Sequence, residues 1–228
     1  MTQKVLLLSL SVLLIVKVTL GEIDCKKGPF KQCKRPKMFD EIPTEVSDFN
    51  ELCAETKSYL RCTKDYQDEC GTKLITLYHS PGIFEASYNT ISDACEDGTL
   101  LNLVATENLK CFNETFGKTN CRVEAGVFVE PIMKREREDE NYEYTFGLFC
   151  LDETHATDCV VRAVLENCGE IAGEATYEFI RRSKTLEYAC SVEEAQAVLE
   201  ALENLDLSED KKKSMSVLLE KMVEENSK

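Results

Sequence analysis

Apolar residues recur along most of this chain at steps of three and four, the spacing that turns one face of an α-helix toward a core. Val46, Phe49, Leu52, Cys53, Thr56, Leu60, Thr63 and Tyr66 form one such series. Thr44, after Pro43, reads as its N-cap, with Glu45 in the first turn. A further helix follows Asp97-Gly98 and carries Leu100, Leu103, Val104 and Cys111. Cys150 and Cys168 are 18 positions apart, five turns at roughly 3.6 residues each. They therefore share a face, and Cys159 points the opposite way. A helix stapled on two faces sits between neighbours, which predicts a central helix in each half of the chain, bridged to flanking helices. Residues 169–189 read as a continuing helix with Ala172, Ala175, Phe179, Leu186 and Ala189 along one side. The matching stretch earlier in the chain is broken by Ser80-Pro81-Gly82, which predicts two shorter helices. No run alternates well at period two, and Val127 to Ile132 is the one candidate strand.

After Cys190 the pattern changes. Ser191 and Glu194 form a capping box before a helix with Ala195, Val198, Leu199, Leu202 and Leu205 on one face. Leu207-Ser208 turns the chain, and a second helix carries Met215, Leu218, Leu219 and Met222. This hairpin, residues 191–228, has no cysteine. Docking on the stapled core is expected, the alternative being that its apolar stripe serves another partner.

The N-terminus adds the compartment. Lys4 precedes an apolar run from Val5 to Val16, and Thr19 and Gly21 suit a small-x-small cleavage site. Residues 1–21 read as a secretory signal peptide. The run is shorter than the ~20 residues of a membrane span, and Lys17 interrupts it, so no stable membrane anchor is expected. Secretion makes disulfides the expected state of an even number of cysteines. There are 12, all beyond the leader: Cys25, Cys33, Cys53, Cys62, Cys70 and Cys95, then Cys111, Cys121, Cys150, Cys159, Cys168 and Cys190. In both sets the gaps run short, long, short, short, long. Cys70 and Cys168 are each followed by glycine, Gly71 and Gly169. Phe30 and Phe116 occupy similar places after the first cysteine of each set, and the second cysteine of each precedes a basic residue, Lys34 or Arg122. These parallels read as a tandem duplication. The expected organisation is residues 22–98 and 99–190 as two six-cysteine helical units, each with any of 15 pairings of six cysteines, plus the hairpin.

Composition narrows the function. Setting aside Lys4 and Lys17 leaves 25 basic against 42 acidic side chains, a formal −17. Nucleic acid is disfavoured as a partner, because phosphate binding rests on Lys and Arg. His79 and His155 are the two histidines of the chain; each reads as an ordinary surface or interface residue. No G-x-S-x-G elbow, P-loop or dinucleotide fingerprint is present. The EF-hand ligand order is absent, and Asp93 to Gly98 suggests calcium only loosely, without a dedicated site. No catalytic residue, metal or cofactor is assigned. Asn113-Glu114-Thr115 is an N-glycosylation acceptor, which predicts that the segment around Asn113 is exposed. The dense charges of residues 134–144 read as a solvated insertion or an exposed helix face, or otherwise as a partner-binding loop.

Glu51-Leu52-Cys53, Tyr59-Leu60-x-Cys62 and Tyr66-x-x-x-Cys70, with a second pass at Phe149-Cys150, Cys159 and Asn167-Cys168-Gly169, resemble a secreted cysteine-rich helical family. That family occurs in arthropods and nematodes and is described chiefly as a domain of unknown function. The resemblance spans residues 25–190 and departs from the pattern at His155-Ala156-Thr157 and in the hairpin. It implies an extracellular, disulfide-stapled, all-helical protein, and it carries over no catalytic residue. The expected fold is thus an all-α, disulfide-stapled bundle of two similar six-cysteine units plus a C-terminal helical hairpin. The expected role is non-enzymatic binding of an extracellular protein or a small apolar ligand. A venom component acting on a cell-surface target and a body-fluid carrier are the more specific alternatives.

Overall fold

Cysteine pairing decides how the helices assemble. The computed structural model describes residues 23–37, 42–71, 82–138 and 147–226. Within them the order is α1 (Pro29–Gln32), α2 (Val46–Cys70), α3 (Ile83–Ala94), α4 (Leu100–Lys118), α5 (Cys121–Glu138), α6 (Leu148–Cys168) and α7 (Glu170–Arg182). A 3-10 turn (Thr185–Tyr188), α8 (Val192–Leu202) and α9 (Glu209–Asn226) follow. The described residues contain no strand. All twelve cysteines are bridged: Cys25–Cys70, Cys33–Cys62, Cys53–Cys95, Cys111–Cys168, Cys121–Cys159 and Cys150–Cys190. In each set the first cysteine pairs with the fifth, the second with the fourth and the third with the sixth. No bridge joins the two sets.

Each set is organised by one long helix carrying three of its cysteines. In α6 the three lead to different neighbours: Cys168 to α4, Cys159 to the start of α5, and Cys150 to Cys190 beyond the 3-10 turn. Thr154, His155, Ala156, Thr157 and Asp158 are consecutive and all buried, as a helix enclosed on every side requires. In α2 the bridges at Cys53, Cys62 and Cys70 hold a helix whose buried residues are few, Cys53, Thr63 and Tyr66. Cross-links there stand in for a core.

The main core lies around α6. Leu148, Leu151, Leu186, Val198, Leu202, Met215, Leu219 and their neighbours form one apolar cluster. The C-terminal hairpin therefore docks, and its stripe of Met215, Leu218, Leu219 and Met222 is spent inside this core. That stripe offers no surface to an outside partner. A smaller cluster joins Val104 of α4, Val164 of α6 and Ala172 of α7. The α6–α7 corner is tight: a Cβ on Gly173 would come within 2.9 Å of the Leu165 Cα, so only glycine lets the two helices meet there.

Four local expectations need correction. Val127 to Ile132 is helical, inside α5. Its β-branched residues suggest a strand, but Ala125, Val129 and Ile132 fall at helical spacing and face the core, and Val127 stays exposed; packing overrides propensity. The helix expected over 169–189 ends at Arg182, because Lys184 is left-handed (φ 56°). The break swings Leu186 and Cys190 toward α6. The N-cap of α2 is Glu45, one residue after Thr44, and no side chain bonds the helix start. His155 is no surface residue, being 3% exposed. Of the two short helices expected around Ser80-Pro81-Gly82, α3 is present after Gly82, and the other falls outside the described residues.

Candidate functional site

Where α4 lies against α2, α3 and α7, the packing leaves an apolar groove of about 210 Å³. Its floor is α4, whose Leu101, Val104, Ala105, Phe112 and Phe116 recur at helical spacing along one face. Phe49 of α2 and Ala94 of α3 form one side, and Ala175, Thr176 and Phe179 of α7 the other. The single polar group among these is the Thr176 hydroxyl, and it donates to the Ala172 carbonyl at 2.8 Å. The lining therefore offers a bound molecule carbon and aromatic faces, with Phe112 and Phe116 ring centroids 6.3 Å apart.

Two disulfides cross-link the elements that frame the groove. Cys53–Cys95 ties α2, four residues past Phe49, to the residue after Ala94. Cys111–Cys168 ties α4, one residue before Phe112, to the end of α6 where α7 begins. Across the groove the ties are polar. The Ser87 hydroxyl of α3 donates to the Ser183 carbonyl at 2.8 Å and lies 3.1 Å from the Tyr188 hydroxyl. Arg182 of α7 pairs with Asp93 of α3. The buried Asn102 amide donates to the Ala94 carbonyl at 3.1 Å, and Thr99 caps α4 by accepting from the Asn102 N–H. Such a frame does not need to be ordered when a ligand arrives.

The larger depression beside α2, about 820 Å³, has a different character. It is broad and lined by polar and charged residues including Asn50, Lys57, Arg61, Asp65 and Asp97. Its charges of both signs are open to water, which leaves little for a ligand to gain.

Asn113 and Thr115 lie within α4, and the segment is less exposed than expected. The Asn113 amide donates to the Ile42 carbonyl, and Thr115 is buried with its hydroxyl 3.5 Å from the Cys168 sulfur. Asp93, at the start of the loosely calcium-like stretch, is committed to Arg182. Among the described residues no three His, Cys, Asp or Glu side chains gather where they could hold a metal ion. His155 stacks on Phe128 with centroids 4.9 Å apart. Burial, aided by the nearby Lys211 charge, holds its pKa down at about 4. His79 and residues 139–144 lie outside the described residues; the backbone of α5 continues to Glu138.

Phe112 and Phe179, with Phe49 and Phe116, are the site residues that a reading for catalytic motifs misses. A signal existed: Leu101, Ala105, Phe112 and Phe116 keep a helical register along one face. Nothing in that register says which helices stand opposite. Among the described residues no helix is long and apolar enough to cross a membrane. Comparison of the chain with protein-family models, with curated proteins and with solved structures finds no match.

Proposed function

We propose that this is a secreted, non-enzymatic binding protein that carries a small apolar ligand in the groove on α4. The observation that carries the reading is a preformed recess with four phenylalanines and a single, internally satisfied hydroxyl in its lining. Six bridges and no free cysteine suit an oxidising, extracellular setting, in keeping with a leader at residues 1–21 and with the resemblance to secreted helical proteins. Identical pairing order in the two cysteine sets supports an origin by tandem duplication. On that reading the groove belongs mainly to the second unit, with Phe49 and Ala94 of the first closing one side.

The test compares native and denaturing masses of the protein secreted from insect cells. Extra mass kept in the native spectrum and lost on denaturation is the expected result. A bare native mass, together with no uptake of apolar compounds added to the purified protein, overturns the carrier reading and leaves protein partners on the acidic surface. Turnover of an ester, peptide or glycoside substrate would overturn the non-enzymatic part.

A further inference from the structure

The groove's chemistry narrows the ligand further, in an inference that rests on the carrier reading above. We infer that the ligand is electrically neutral and compact, with about eight carbon atoms held in the groove. Size follows from volume. A closed cavity of roughly 150 Å³ accepts benzene, so about 210 Å³ accommodates a substituted single ring or a medium-length alkyl chain. Much longer chains would leave most of their carbons in water.

Neutrality follows from what surrounds the recess. None of its lining residues carries a charge. The flanking ion pair, Arg182 with Asp93, is already matched, and it joins α7 to α3. A ligand carboxylate that captured Arg182 would strand the Asp93 carboxylate and loosen the frame. It would also approach a protein with 42 acidic against 27 basic side chains. A ligand ammonium faces the converse problem, since taking Asp93 strands Arg182. The Thr176 hydroxyl is engaged with Ala172 and gives a charged head no strong partner. Burying an unpaired charge costs far more than burying the same volume of hydrocarbon.

Three probes with one tail and different heads test this: 1-octanol, octanoate and octylammonium, titrated calorimetrically into the full-length secreted protein at neutral pH. The expected order places octanol at least tenfold tighter than either ion, about 1.4 kcal/mol. Lengthening the alcohol to dodecanol should gain much less per carbon than the step from butanol to octanol. Ala175→Phe, which fills the groove from α7, should abolish octanol binding while leaving the circular dichroism and thermal midpoint near wild type. Should that variant fail to fold, Ala105→Leu, from the floor, replaces it. Octanoate or octylammonium binding as tightly as octanol, with loss in the filled variant, overturns neutrality and leaves the carrier reading standing. Uniform gain per carbon through dodecanol overturns the size limit. Octanol binding that survives groove filling, or no binding by any probe, defeats the carrier reading itself.

Discussion

His155 and Asp158 lie three residues apart on α6, both almost wholly buried, and among the described residues neither His155 Nδ1 nor Asp158 Oδ2 has a hydrogen-bond partner. Their titrations act on stability in opposite directions. Burial holds His155 at about 4 in the folded protein, below an ordinary value of roughly 6.5. The unfolded chain therefore takes up a proton first as pH falls. Stability from this group is complete above pH ~6.5 and is lost toward pH 4, by on the order of 3 kcal/mol. Burial raises the Asp158 carboxyl against the pull of Ser214, Arg162 and Lys211. Here the folded state takes up its proton first, and acidification relieves a penalty. His155→Leu should accordingly shrink the fall in urea midpoint between pH 7 and pH 4. Asp158→Asn should raise the midpoint at pH 7 and do so less at pH 4. An acid-induced fall unchanged in the histidine variant would remove His155 from the account. The sequence alone marks His155 as an ordinary surface or interface residue and gives Asp158 no role; their burial comes from α5 and α9, which close over α6.

The helix ends follow backbone chemistry that is largely local. Gly71 and Gly169 each follow the fifth cysteine of a set, and both adopt extended backbone with positive φ, 66° and 91°, a region nearly closed to other residues. At Gly169 a Cβ would meet no atom within 4 Å, so Gly169→Ala should cost about 1–3 kcal/mol through backbone strain alone, read from chemical denaturation. The glycines after Cys70 and Cys168 were legible as a repeated feature, although their conformation was not. Ser191 and Glu194 close their capping box as the spacing predicts, and Ser191→Ala should cost about 1 kcal/mol. A loss below a few tenths in that variant would show that the Cys150–Cys190 bridge beside it already holds the helix start. The strand expected at 127–132 shows the limit of local reading. Val127, Phe128 and Val129 favour a strand by residue type, but Cys121 at the head of α5 is bridged to Cys159, and apolar contacts with α6 reward the helical register.

At the scale of the whole molecule, the two halves are stabilised differently. Around α2, bridges do most of the work; around α6, an apolar core closed by the C-terminal hairpin does. Deleting residues 191–228 would strip the cover from Leu148, Leu151 and Leu186, all buried against α8 and α9. The truncated chain should bind a hydrophobic dye and be secreted poorly, which would be measured in the medium of expressing cells. Normal secretion without dye binding would mean that the hairpin is dispensable to the core. The helical class, the central helices, the capping box and the hairpin were all determined by the sequence, because each depends on spacing within one segment. Tertiary structure decided the rest: which cysteine pairs with which, the enclosure of His155 and Asp158, the commitment of Asp93 to Arg182, and the groove. Those features depend on side chains brought together from far along the chain. A periodic face shows that a helix is partnered, but only the packed molecule shows which partner leaves a space.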